Sequence, residues 1–164
     1  LLFFFCTLPA PPGLSPFPLR AALPVSRLPA VGGALGNAPE RRQSLSLRLA
    51  ELGTFAGRGG GQPRVIWIGL EGDLDALAAL QRDIETALVE AGFEAATRTF
   101  TPHLTLGRIP RGRNSLIDLS GSATAQQHRP NFHVDGISLM ESELTRGGAR
   151  YHRRLFMPFR IAQA

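Results

Sequence analysis

The stretch TPHLTLGRIP, residues 101–110, decides how the rest of this chain reads. It sets His103 and Thr105 two apart in an apolar run with a proline on each side. Alternate side chains of a strand share a face, so both point the same way, roughly 7 Å apart, with Leu104 and Leu106 turned to a core behind them. The result is a rigid support for an imidazole, which gives or takes a proton near neutral pH, and for a hydroxyl that can bind a phosphate oxygen. Arg108 follows closely enough to hold phosphate charge. On pattern alone a strand histidine is more often structural, and Pro102 then only shapes the strand entry.

Working outward, the texture of a folded domain begins at Ser44. SLSLRLAELGTF (44–55) alternates Leu45, Leu47 and Leu49 with Ser44, Ser46 and Arg48, which predicts a half-buried strand. RVIWIGLEG (64–72) is short and β-branched, as a buried strand is. DLDALAALQRDIETALVEAG (73–92) predicts a helix. Leu74, Leu77, Leu80, Ile84 and Leu88 recur at helical spacing, Asp73 is placed to cap the start, and Gly92 to end it. RTFTPHLTLGRI (98–109), NFHVDGISLMESEL (131–144) and YHRRLFMPFRIA (151–162) read as strands, the last two joined by a turn at TRGGAR (145–150). Residues 111–130 are polar and turn-rich, with a short helix expected near 115–119. Strands mixed with one clear helix give an α/β or α+β protein.

The first 43 residues differ. They hold eight of the 13 prolines: Pro9, Pro11, Pro12, Pro16, Pro18, Pro24, Pro29 and Pro39. An internal proline removes a helix hydrogen bond and clashes with the preceding turn, so residues 9–43 are expected to be irregular and without a helix. The opening LLFFFCTL lacks the positive flank of a signal peptide and reads as a buried first strand from Leu2 to Leu8.

At 43% apolar and 19% charged, 164 residues can bury a proper core. No apolar run approaches the roughly 18 residues of a membrane span. The single cysteine, Cys6, excludes an intramolecular disulfide and a cysteine-based zinc cage, and a cytoplasmic setting is expected. The net charge of +5 is carried by arginine alone. Residues 1–43 hold four arginines and one acid; residues 44–164 hold 14 arginines and 12 acids. The folded-looking part is therefore only mildly basic, short of what a nucleic-acid-coating protein shows. The absence of lysine, with much Ala, Gly, Leu and Pro, suggests GC-rich coding DNA. Out-of-frame reading of such DNA would give a stretch like residues 10–43.

FTPHLTLGRI (100–109) resembles the second HxTx motif of the 2H phosphoesterase superfamily, nearest its RNA 2′,3′-cyclic phosphodiesterases, also called the 2′-5′ RNA ligase family. LLFFFCTLP, SLSLRLAELGTF, PRVIWIGLEG, the long helix and ISLMESELTRGGARYHRRLFMPF resemble that family's other elements, in order, over about residues 1–9 and 44–160. The resemblance implies an α+β fold of two lobes, with antiparallel sheets around a cleft and one HxTx motif in each lobe. Two histidines would face a cyclic phosphate from opposite sides, one as base toward water and one protonating the leaving ribose oxygen. Carried onto this chain, His103 is the proton acceptor and Thr105 its phosphate-binding partner. Tyr151 occupies an aromatic position typical of the family and is, with Arg108, a candidate substrate contact, with packing at a strand start as the alternative for the ring. Apart from the resemblance, Arg108, Arg111 and Arg113 cluster just after the motif and are candidate contacts to RNA phosphates, a solvated loop being the alternative. The implied reaction turns a 2′,3′-cyclic phosphate end into a 2′-phosphate without a metal or cofactor. The implied partners are RNA ends or small cyclic nucleotides, not a membrane, and the implied state is a monomer.

The chain departs from the family pattern at one place. His103, His128, His133 and His152 all lie in the second half, and only His103 has a threonine two places on. In the family the first motif falls between the opening strand and the strand matching Ser44 to Leu49. Here residues 10–43 fill that slot. The expected organisation is a first strand (1–9), a proline-rich segment replacing the first motif region (10–43) and a 2H-like domain (44–164), with an incomplete N-terminal lobe. Losing one partner of an acid–base pair costs about 10²–10⁴ in rate, so weak or absent turnover is expected. The alternatives are a non-catalytic RNA- or nucleotide-binding module of the same fold, and a truncated chain whose exposed apolar surface prevents stable folding. His128, His133 and His152 read as loop or surface residues, and Trp67 and Phe100 as core. GRGGGQP (57–63) lacks the GK[ST] ending of a phosphate loop.

Overall fold

The computed structural model describes residues 2–6, 23–35, 42–56, 62–97, 99–109, 129–145 and 148–159. The short helix expected near 115–119, and with it Arg111, Arg113 and His128, lies outside the described residues. Within them the elements run β1 (Leu2–Cys6), α1 (Leu28–Leu35, entered through a 3-10 turn at Val25–Arg27), β2 (Leu45–Ala56), β3 (Pro63–Gly72), α2 (Leu74–Glu90), β4 (His103–Arg108), β5 (Asn131–Val134), β6 (Gly136–Thr145) and β7 (Gly148–Pro158). The strands form two antiparallel sheets, ordered β1-β6-β7 and β4-β3-β2-β5. This is the expected α+β architecture.

Helix α2 forms where its leucine spacing predicts, with Leu77, Leu80, Ile84 and Leu88 buried. Gly92 ends it at φ +80°. Gly92 N donates to Val89 O at 2.9 Å and Phe93 N to Leu88 O at 3.0 Å, the paired bonds of a Schellman stop, with Phe93 buried as its apolar plug. Asp73 stands at the N-cap, but its carboxylate makes no cap bond to the helix. It accepts instead from Ser46 N at 2.8 Å, while Asp73 N donates to Ser46 O at 3.1 Å. The residue expected to serve the helix thus ties the helix start to β2.

The expectation of no helix across 9–43 is corrected over Leu28–Leu35. Pro29 falls in the first turn, where a backbone N–H would have no partner in the helix, and the next proline, Pro39, comes after the helix end. That gap leaves room for two turns, and Val31 and Leu35 bury themselves in the core. Arg27 fastens this segment to α2: its guanidinium lies 4.1 Å over the Phe93 ring, and Nη2 donates to Ala91 O at 3.2 Å, a carbonyl at the helix end.

Three strand expectations also need correction. The run 131–144 is not one strand. It bends at Asp135 and serves both sheets, β5 in one and β6 in the other. Asp135 holds that bend: its carboxylate accepts from Ser44 Oγ at 2.8 Å and its carbonyl from Phe159 N at 2.7 Å. The strand predicted from Arg98 begins only at His103, after Pro102, which has no N–H to give a ladder. The turn expected over 145–150 is tighter, since Thr145 already pairs with Gly148. Leu45, Leu47, Leu70, Leu104 and Val134 of one sheet and Ile137, Leu139 and Met157 of the other meet the helices in one continuous core. Each such side chain contributes about 1.5–3 kcal/mol by leaving water. Phe100 packs on that core as expected.

Leu35 is 2% exposed, so Leu35→Ala should lower unfolding stability by about 2–5 kcal/mol in chemical denaturation. An unchanged midpoint would mean that α1 is not docked.

Candidate active site

One face of the β4-β3-β2-β5 sheet is committed to the helices, and the register assigns the other. His103 pairs with Gly69 and Thr105 with Trp67, so all four stand on the face opposite Ile68, Leu70 and Leu104. Between Thr105 and Gly107 the register shifts, because Leu106 has no partner on β3. This bulge explains why Leu106, expected in the core, is 44% exposed. It also reverses the alternation beyond it. Arg108 pairs with Val65 and so joins His103 and Thr105 on the open face instead of falling on the core side.

A second bulge acts on β2. Leu49 pairs with Leu70 and Leu52 with Ile68, so Ala50 and Glu51 together stand opposite Gly69. Strict alternation from Leu45 would send Phe55 to the core. After the bulge it pairs with Val65 on the open face. There Phe55 stacks on Trp67 at 5.1 Å between centroids, and both rings meet His103 edge-on, at 5.0 Å and 6.2 Å. Each such aromatic pair adds about 0.5–1.5 kcal/mol beyond its buried area. Trp67 is therefore a wall of the site rather than the core residue its sequence context predicts. Gly53 makes the wall possible: a Cβ there would lie 2.2 Å from Cζ2 of Trp67. A glycine facing an aromatic across two strands is the signal that sequence reading could have used.

The second contact on His103 fixes its chemistry. Nδ1 lies 2.7 Å from the Thr101 carbonyl oxygen. A carbonyl has no proton to give, so Nδ1 carries the hydrogen and donates it. In the neutral ring this leaves the lone pair on Nε2, the nitrogen that can accept a proton. The backbone just before the strand thus selects the tautomer, and two aromatic edges hold the ring plane.

The other sequence candidates stand on other strands. Tyr151 stands on β7 of the second sheet, paired with Ser142 and 41% exposed. His133 is on β5, at the far edge of the sheet from β4, with Nδ1 at 3.2 Å from Ser46 Oγ. His152 sits on the β6–β7 hairpin, 3.7 Å from Glu143. Neither histidine lies beside His103 in the register. Among the described residues no cluster of three His, Cys, Asp or Glu could hold a metal ion, and no helix is long and apolar enough to cross a membrane.

The described fold is thus two antiparallel sheets with helices, and it carries an imidazole, a hydroxyl and a guanidinium on the open face of β4. The profile of the family described as LigT like Phosphoesterase matches residues 68–151, from β3 into β7, and the chain belongs to that family. Over 90 residues it is 37% identical to the RNA 2′,3′-cyclic phosphodiesterase of Methanothermobacter thermautotrophicus, covering 54% of this chain and 47% of that protein. Over 92 residues it is 34% identical to the protein of the same name from Aeropyrum pernix, covering 55% and 52%. The chain thus spans about half the length of the curated relatives it matches. In fold it resembles E. coli LigT, crystallised with 3′-AMP, at a TM-score of 0.69, 20% identity and coverage of 99% and 98%. A further crystal structure of a phosphoesterase matches at a TM-score of 0.69 with 21% identity, covering 97% of each chain.

Trp67 is the one tryptophan of the chain, so its fluorescence reports this wall alone. Gly53→Ala should push the ring off the sheet, shift its emission to longer wavelength and lower the thermal midpoint. An unmoved spectrum would contradict the packing of Trp67 over Gly53.

Proposed function

We propose that the chain acts on RNA ends bearing a 2′,3′-cyclic phosphate, with His103 and Thr105 as the half of the site that receives the attacking water. The observation that carries this reading is the hydrogen bond from His103 Nδ1 to the Thr101 carbonyl, which leaves Nε2 as a proton acceptor on the open face. In the proposed step Nε2 takes a proton from water as its oxygen bonds to phosphorus and the bond from phosphorus to the 3′ oxygen breaks. The Thr105 hydroxyl donates to a non-bridging oxygen, and Arg108 balances the charge building there. The product is a 2′-phosphate. Tyr151, on the other sheet, is proposed to contact the base. The names of the relatives and the family membership support the substrate class. A monomer in the cytoplasm, using no metal, is part of the same reading.

The departing 3′ oxygen needs a proton from the opposite side of phosphorus, and no second His-x-Thr stands in the sequence. That observation favours a second reading, in which the chain binds such ends and turns them over weakly or not at all.

Hydrolysis of a short RNA ending in 2′,3′-cyclic phosphate, with EDTA present, separates the two when the chain is run beside His103→Ala. Slow turnover that falls about 10²–10⁴-fold on substitution would support His103 as the base. Binding without turnover would support the second reading. Turnover unaffected by His103→Ala would overturn both.

A further inference from the structure

The row of the sheet that holds His103 continues past Gly69 to a second cationic group. Gly69 faces the bulged Ala50 on β2, and a Cβ on Gly69 would lie 3.4 Å from that of Ala50. Pro130 O accepts from Leu49 N at 3.4 Å, so continuing the β2–β5 register puts Arg129 beside Ala50. An imidazole at one end and a guanidinium at the other are thus separated by a floor of two of the smallest side chains. On the same face, Glu71 stands two residues along β3 from Gly69 and pairs with Arg48 on β2.

These charges form a triad. Arg48 gives Nε and Nη2 to Glu71 Oε2, at 2.8 and 2.6 Å, and Arg129 Nη1 reaches Oε1 at 3.3 Å. One carboxylate holds two guanidinium groups, so the cluster keeps one positive charge in excess. Arg48 remains 55% exposed, and Arg129 is 25% exposed. Arg129 Nε is buried without a hydrogen-bond partner among the described residues. The N–H groups that the Glu71 contacts leave over, on the exposed Arg48 above all, suit an anionic oxygen, the acceptor best matched to a guanidinium fork.

We infer that Arg129 and Arg48, oriented by Glu71, form a second phosphate site on the catalytic face, across the Gly69–Ala50 floor from His103. It takes an internucleotide phosphate of the strand whose end lies at His103. The preferred ligand is therefore an oligoribonucleotide rather than a cyclic mononucleotide. The identity of the first phosphate rests on the function proposed above; the second site rests on the triad itself.

The test compares affinities for two probes, a fluorescent short oligoribonucleotide ending in 2′,3′-cyclic phosphate and cytidine 2′,3′-cyclic monophosphate, at several salt concentrations. Arg129→Ala and Arg48→Ala should each weaken the oligonucleotide about tenfold and lower its salt slope by about one, leaving the mononucleotide unchanged. Equal losses for both probes, no loss for the oligonucleotide, or an intact chain that does not bind the oligonucleotide would overturn the inference. Thermal unfolding checks each variant; if Arg129→Ala unfolds, the more exposed Arg48 decides. His103→Ala separates the two proposals, because failure of the His103 reading appears as unchanged mononucleotide affinity and hydrolysis, whatever the arginine variants do.

Discussion

A β-strand allows each side chain one of two faces, and two breaks in that rule complete this site by adding Arg108 and Phe55 to the face of His103 and Thr105. Leu106 interrupts the alternation of β4 and Ala50–Glu51 that of β2, on either side of the β3 segment that carries Trp67 and Gly69. Without the first bulge Arg108 would point at the helices; without the second Phe55 would. Both bulges leave the core intact, because the leucines before each one still reach it. The helices need only one face of the sheet, so the shifts move residues onto the other at little cost in buried area.

The local groups on His103 act in the same direction. The Thr101 carbonyl sets which nitrogen bears the proton, and Phe55 and Trp67 limit how the ring can turn. These constraints come from the backbone before β4, from β2 and from β3, so the imidazole is held from three directions before any ligand arrives. Preorganisation of this kind lowers the reorganisation left for the reacting state.

Much of this was legible in the sequence, and the exceptions have physical causes. The helix over Leu74–Glu90, the strands either side of it and the His103–Thr105 pair follow from period and spacing, which report on local geometry. The bulges were not legible: Ala50, Glu51 and Leu106 are ordinary strand residues, and the register shift is a property of paired strands. Trp67 read as core because large aromatics in apolar runs are commonly buried, and only the facing Gly53 marked it otherwise. The density of prolines hides helix α1, yet Pro29 falls where a helix tolerates one. The bend at Asp135 looked like strand on both sides, and what divides it is a pair of long-range bonds to Ser44 and Phe159.

The strand that carries His103 is also the edge of its sheet, with β3 as its neighbour among the described residues. An edge strand shows its unused N–H and C=O groups to solvent and offers a template on which another chain can pair, above all when it is apolar. HLTLGR is such a sequence, and Leu106 is exposed on it. Pro102 withholds a donor at its start, and the bulge at Leu106 twists the ladder before it can run far. The proline and the bulge that shape the open face therefore also interrupt, among the described residues, the edge on which a second copy could pair. A substitution that straightened β4 would be expected to show first in solubility, even where the fold survives.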